Sequence, residues 1–286
     1  MLSPQSRKSL YRIDLEYDGT RYHGWQEQSN ARTVAGELRS AAERAVGAVA
    51  DLQGAGRTDA GVHALRQVAH LGFVAPIDPG VLCLRLNDAL PADLHVLTVR
   101  PAPPGFHARH SAVARSYLYQ IARRRTAFAK RYVWWVKRPL DASAMADASA
   151  LLRGRHDFAR FTERPGEQPS TLVVVEQVEV REEGALVLIR IVASHFLWRM
   201  VRRIVGTLVE IGAGRATGDD MAALLSGQRL VDAEAPASWT APPSGLFLER
   251  VQYPGDPPLD PLLPACAVSA EPEAPAPRRP ARRGRA

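Results

Sequence analysis

The order in which strand-like and helix-like segments follow one another limits this chain more than any single motif. Leu10 to Tyr17 alternates, with Tyr11, Ile13, Leu15 and Tyr17 on one side and Arg12, Asp14 and Glu16 on the other, which is the period of a half-buried strand. Asp18-Gly19 ends it with a turn. Thr33 is placed to cap a helix whose apolar stripe runs through Val34, Leu38, Ala41, Ala42, Ala45, Val46 and Val49. A short strand runs into Gly54, and Gln67 to Val74 is another. Asp78-Pro79 opens a second helix, with Leu82, Leu86 and Leu90 as its stripe and Pro91 as its stop. Asp93 to Val99 alternates again, so the first hundred or so residues read β-α-β-β-α-β.

Pro101, Pro103, Pro104 and Gly105 mark a linker, after which the order repeats. Arg115 to Ile121 is a strand, with Arg115, Tyr117, Tyr119 and Ile121 on one face. Asp141 to Leu152 is a helix closed by Gly154. Thr171 to Val180 and Leu186 to Ala193 form a hairpin around Glu182-Glu183-Gly184. His195 to Ile211 reads as a long helix ended by Gly212 and Gly214, Asp219 to Leu225 as a short one, and Leu246 to Tyr253 as the closing strand. This is the ferredoxin-like order twice. The expected fold is α+β, with two ferredoxin-like halves, residues 10–104 and 105–253, joined edge to edge. They would share one mixed, mostly antiparallel sheet with a central cleft. Residues 1–9 are expected to be a flexible N-terminus. Residues 254–286, with nine prolines and five arginines among the last nine residues, are expected to be a disordered tail, too poor in apolar surface to fold alone.

Hydrophobic residues make up 46% of the 286, enough for a real core, and the formal net charge is +7. Without the tail it is still +6, from 32 basic and 26 acidic residues, so the folded body itself favours a polyanion, nucleic acid above all. Cys83 and Cys266 stand alone, which excludes a disulfide framework or a CxxC metal site and suits a reducing cytosol. No signal-like apolar core opens the chain and no run approaches the ~20 residues of a membrane span, so a soluble, cytoplasmic protein is expected.

Chemistry concentrates in Gly54-Ala55-Gly56-Arg57-Thr58-Asp59-Ala60-Gly61-Val62-His63. Such a segment makes a tight, poorly shielded loop. It is not a dinucleotide fingerprint, because Asp59 stands where the third glycine belongs, and no Gly-Lys-Ser/Thr makes it a Walker loop. Asp59 is its one acid, open to use as a general base, a nucleophile or a metal ligand. Metal binding wants partners, and only His63, four residues on, is near, so no metal is expected and His63 reads as a structural donor. His107 and Arg109 suggest phosphate contacts. Tyr117 either stacks on a base or is an ordinary strand tyrosine. Trp25 is assigned to the core. On the long helix, Phe196, Met200, Ile204 and Leu208 form a core stripe. Arg199, Arg202 and Arg203 lie on the remaining face, either solvated or, for one in a cleft, as a counter-ion for Asp59.

The loop resembles the catalytic signature of the tRNA pseudouridine synthase A family, and companion motifs follow in that family's order. They are Tyr17-Asp18-Gly19-Thr20, Gly24-Trp25-Gln26-x-Gln28, Phe106-His107-Ala108-Arg109, Arg115-x-Tyr117-x-Tyr119, Met200-Val201-Arg202-x-Ile204-Val205-Gly206 and Gly245-Leu246. Together they span Leu10 to Tyr253. The resemblance implies Asp59 as catalytic aspartate, Tyr117 packing on the target uracil and Arg202 as basic partner of the aspartate. It implies Leu246 in the pocket wall and Arg57 holding the nucleotide out of its stack. It further implies a homodimer of two ferredoxin-like halves that needs no cofactor and acts on uridines 38, 39 and 40 of the tRNA anticodon arm. His110 in place of a usual phenylalanine, the absence of an arginine before Leu172, and the Pro/Arg tail depart from the pattern. Detaching uracil from the ribose develops positive charge on the sugar, which a carboxylate would stabilise, capture or relieve by taking a proton. An arginine beside Asp59 would keep it ionised by lowering its pKa. A non-catalytic RNA-binding protein and a metal-dependent phosphoesterase are the competing readings.

Overall fold

The computed structural model describes residues 9–167, 169–230 and 235–270. The first half contains β1 (Ser9–Tyr17), α1 (Val34–Val46), β2 (Asp51–Gly54), β3 (His63–Phe73), α2 (Pro79–Ala89) and β4 (Leu94–Pro101). Its strands run in the order β4-β1-β3-β2, all antiparallel. The second half contains β5 (Ala114–Ala122), β6 (Trp134–Trp135), α3 (Ala142–Ala150), β7 (Gly154–Asp157), β8 (Leu172–Glu183), β9 (Leu186–Ala193), α4 (Met200–Gly212), α5 (Gly218–Leu225) and β10 (Leu246–Gln252). Its order, β10-β5-β9-β8, repeats that of the first half and is extended by β7. The halves meet where β10 runs parallel to β3, pairing Phe247 with His63 and Leu248 with Ala64. The result is the expected α+β fold on one mixed, mostly antiparallel ten-stranded sheet.

The helices begin where the sequence places caps. The Thr33 hydroxyl accepts from the Gly36 amide at 3.3 Å, Asp78 from Val81 at 2.9 Å and Asp141 from Ala144 at 3.0 Å. Their apolar stripes, Val34, Leu38 and Ala42 on α1 and Leu82 and Leu86 on α2, join one core that continues under α3 and α4. Trp25 is in it, as expected.

Three expectations need correction. The helix predicted from His195 begins only at Met200, because Arg199 has φ +61° and a left-handed residue cannot continue a right-handed helix. Strands β6 and β7, of two and four residues, were not foreseen, being too short to show a period. The third concerns the segment after Tyr253. Residues 254–270 cross the sheet face opposite the helices, where Leu262 and Val268 are buried against Leu118, Leu186, Leu188 and Phe247. The Ala185 amide donates to the Val268 carbonyl at 3.0 Å, and the Gln120 side-chain carbonyl accepts from Ala265 at 2.7 Å and Cys266 at 3.3 Å. A segment this poor in apolar residues does not fold alone; this one folds onto an apolar face that already exists. The arginines from Arg278 to Arg285 lie outside the described residues, as do residues 1–8. Among the described residues, no helix is long and apolar enough to cross a membrane.

Candidate active site

The loop carrying Asp59 connects β2 to β3 and is fixed from beneath. The Ala55 amide donates to Val68 at 2.7 Å, the Gln67 side-chain amide to the Gly56 carbonyl at 2.9 Å, and Tyr17 and Thr58 share a hydroxyl hydrogen bond of 2.8 Å. The Trp25 amide donates to the Thr58 carbonyl. Gly24 makes that approach possible: at φ +91°, a Cβ there would lie 2.5 Å from the Thr58 oxygen. His63 closes the loop as a neutral imidazole, its pKa pulled down by burial. Nδ1 accepts from the Gly19 amide at 3.0 Å, so Nε2 carries the proton toward the Arg131 carbonyl at 3.0 Å. With both ring nitrogens engaged, His63 has none to offer a metal. Among the described residues no group of three or more His, Cys, Asp or Glu side chains could hold a metal ion.

Asp59 faces the first turn of α4. Its Oδ2 is 3.6 Å from Nη1 of Arg202, with the two side chains 27% and 13% exposed, so the pair is sheltered but reachable from the cleft. The two residues are 143 positions apart in the chain and come from different halves. Arg202 is itself anchored, Nε donating to the Ala241 carbonyl at 2.7 Å while the Ala241 amide returns to the Arg202 carbonyl at 3.0 Å. Gly206, one turn along α4, admits this segment: a Cβ at Gly206 would meet the Trp239 carbonyl oxygen at 1.7 Å. Gly206→Ala is therefore expected to push residues 239–241 away and release Arg202 from its acceptor. Overpacking of this kind costs about 1–3 kcal/mol, or roughly 2–12 °C in Tm for a chain of this size. The single-turnover rate should fall about tenfold or more, since a misplaced group costs that easily. Calorimetry and rate measurement on the variant check both, and a parental rate would show that the Ala241 anchor is not needed.

Asp59 and Arg202 line a cleft of about 840 Å³ together with Tyr117, Leu246, Arg57 and Arg109. Tyr117 is buried, its ring edge-on to Phe196 at 4.9 Å. Leu246, the first residue of β10, is buried opposite Tyr119. Arg57 and Arg109 are exposed at the rim. His107 is not brought to the cleft. Its Nδ1 accepts from the Arg109 amide at 3.1 Å, and its ring lies against His70 and His110, with centroids 4.9 and 4.3 Å away, so it shapes the turn that presents Arg109. Arg203 turns away as well, buried and donating to the Thr162 carbonyl at 2.6 Å.

The electrostatics differ from the sequence-based expectation. Burial raises the Asp59 pKa above the ordinary aspartate value, outweighing the downward pull of Arg202, Arg199 and the Trp198 side chain. Burial likewise lowers the Arg202 pKa, against the attraction of Asp59. As pH falls through the raised value, Asp59 takes up a proton and the ion pair is lost. The single-turnover rate should therefore show an acid limb above the ~3.9 of an ordinary aspartate. A pH–rate profile locates it, and a limb at or below that value would contradict the burial argument.

Sequence reasoning placed Arg115 within a family motif without a role, and missed the Ala241 carbonyl. Arg115 ties the halves together: Nη2 donates to the Ala55 carbonyl at 3.1 Å and to that of Arg109 at 2.7 Å, and Nη1 to that of Ser194 at 3.0 Å. The Ala241 carbonyl carried no signal of its own, but a glycine inside α4 was a legible sign of close backbone approach.

Comparison with known proteins decides among the competing readings. The family model for tRNA pseudouridine synthase matches residues 15–111 and 148–254. The chain belongs to the tRNA pseudouridine synthase family. A tRNA pseudouridine synthase A from Rhodopseudomonas palustris is 41% identical over 250 residues, covering 85% of this chain and 98% of the relative. Those of Bartonella tribocorum and Brucella ovis are 38% and 39% identical, over 86% and 85% of this chain and 100% and 97% of their own lengths. Membership in the pseudouridine synthase family makes the chain an isomerase of uridine in tRNA and sets aside the non-catalytic reading. Both stretches matched by the family model contribute to the cleft, the first through Asp59 and the second through Arg202 and Leu246.

Proposed function

We propose that the chain converts uridine to pseudouridine at positions 38, 39 and 40 of the tRNA anticodon arm, as a homodimer without cofactor or metal, with Asp59 as the catalytic carboxylate. The observation that carries this reading is the meeting of Asp59 and Arg202, from opposite halves, at 3.6 Å in a cleft walled by Tyr117 and Leu246. A flipped uridine brings its C1′ toward Asp59, whose charge answers the positive charge that develops on the sugar when the glycosidic bond breaks. Arg202 fixes the carboxylate's position and favours its ionised form against burial. Tyr117 offers an aromatic face to the uracil, and Arg57 at the rim occupies the place the nucleotide leaves; together they offset part of the few kcal/mol that extrusion costs. The apolar walls keep water from the detached base. Unmodified tRNA transcripts incubated with the chain in a chelating buffer, followed by position-by-position mapping of pseudouridine and sizing of the protein by light scattering, test the proposal. Pseudouridine at 38–40 with the parent and none with Asp59→Ala is expected. Product formed by Asp59→Ala, or only at other positions, would overturn the assignment, and a monomeric mass would remove the dimer.

A further inference from the structure

Arg199 ends the loop before α4 and is, among the described residues, the only one other than glycine with a left-handed backbone. A strained conformation of this kind persists where its surroundings over-determine it, and such residues cluster at functional sites. Its guanidinium reaches the rim of the cleft, lying 5.3 Å from the centre of the Trp198 ring. Nη1 forms an ion pair with Glu163 Oε2 at 2.7 Å, while Nε is buried and has no hydrogen-bond partner among the described residues. The two side chains remain 39% and 32% exposed, so solvent and ligand reach the pair.

Glu163 is not what holds its segment in place. The neighbouring Thr162 does that, accepting from Arg203 through its carbonyl at 2.6 Å and donating its hydroxyl to the Trp198 carbonyl at 3.1 Å. The Glu163 carboxylate can therefore leave Arg199 without releasing the segment. An anion fits in its place, and the planar fork of guanidinium donors suits a phosphate diester. We propose that Arg199 binds a backbone phosphate of the tRNA strand that carries the target uridine, and that Glu163 occupies the guanidinium in the free protein and gives way to that phosphate. The inference rests on the reading of the cleft as the tRNA site.

The test measures tRNA affinity across a series of salt concentrations, together with the single-turnover rate at saturating protein, in the full chain. Arg199→Gln should weaken binding about tenfold and reduce the magnitude of the salt slope by about one; the saturated rate is read together with its acid limb, which moves to higher pH because Arg199 also pulls the Asp59 pKa down. Arg199→Lys should keep the salt slope and lose part of the affinity, because the charge remains and the fork does not. Glu163→Gln should tighten binding about threefold, since it removes the competing anion, and the double variant should behave as Arg199→Gln. A purely structural pair gives the opposite sign at Glu163: both single variants then weaken tRNA alike. That result, parental affinity in Glu163→Gln, or a parental salt slope in Arg199→Gln would overturn the exchange. If the parent itself left uridine unchanged, the reading of the cleft would fail; parental isomerisation with an unaltered salt slope in Arg199→Gln ends this inference alone.

Discussion

Asp59→Asn is expected to abolish isomerisation, by at least about 10³-fold in single-turnover rate, while leaving tRNA affinity within about twofold of the parent. The two effects separate because a carboxylate contributes nothing to phosphate attraction, and the amide keeps nearly the same shape. Arg202→Ala acts through Asp59. Without its partner the buried carboxyl keeps only the pulls of Arg199 and Trp198 against burial, so its pKa climbs further and its position loosens. The rate at neutral pH should fall on the order of 10²-fold, and the acid limb should move to higher pH, so that part of the loss is recovered in alkaline buffer. The combined variant should be no slower than Asp59→Asn, because groups acting as a unit are strongly non-additive. Single-turnover kinetics with a binding assay on each variant decide the matter. A combined variant slower than Asp59→Asn, or an Arg202→Ala limb at the parental pH, would show that Arg202 works on the RNA rather than on Asp59.

A chain ending at Tyr253 is expected to lose most of its stability, whereas one ending at Ala270 should melt with the parent. The first truncation strips Leu262 and Val268 from the sheet, each burial contributing about 1.5–3 kcal/mol. It also leaves the buried Gln120 carbonyl without the two amides it accepts from, at about 1–3 kcal/mol. The sum, about 4–9 kcal/mol, compares with a total stability of about 5–15 kcal/mol for an ordinary domain. The exposed face of Leu118, Leu186, Leu188 and Phe247 would also invite aggregation. Calorimetry on the two truncations settles it. A parental Tm for the shorter chain would mean that the covering segment contributes little.

That covering segment also shows where the sequence was legible and was not read. Strand β9, Leu186 to Ala193, is apolar at every position but Arg190, and a run without alternation means a strand covered on both faces. The helices supply one cover; the second had to come from stretches left unassigned, and both residues 122–140, through Ala129 and Val133, and the segment beyond Tyr253, through Leu262 and Val268, contribute to it. The element order was readable because alternation in β1 and β5 and caps at Thr33, Asp78 and Asp141 are local signals. The start of α4 was not, because Phe196 to Arg199 have helical spacing, while the distant Thr162 hydroxyl donates to the Trp198 carbonyl and Arg199 takes a left-handed backbone. The partnership of Asp59 and Arg202 was reachable through the family motifs, but the sign of the Asp59 shift was not. It depends on how much of the carboxyl the cleft shelters, which no spacing encodes. His107 was read as a phosphate ligand because histidine beside arginine often is one; its ring packs on His70 and His110, outside the cleft lining.

The position of β10 has a consequence for synthesis. Among the described residues the last strand, β10, lies in the middle of the sheet, between β3 and β5, and no other strand there pairs β3 with the second half's sheet. On the ribosome the first half can fold once residue 101 has emerged, since domains fold as units from the N-terminus. Its β3 must then wait, with an open edge beside the loop that carries Asp59, until the remaining strands arrive. The nascent enzyme therefore has the loop that carries Asp59 long before it has a complete cleft, whose Leu246 wall arrives only when β10 is inserted.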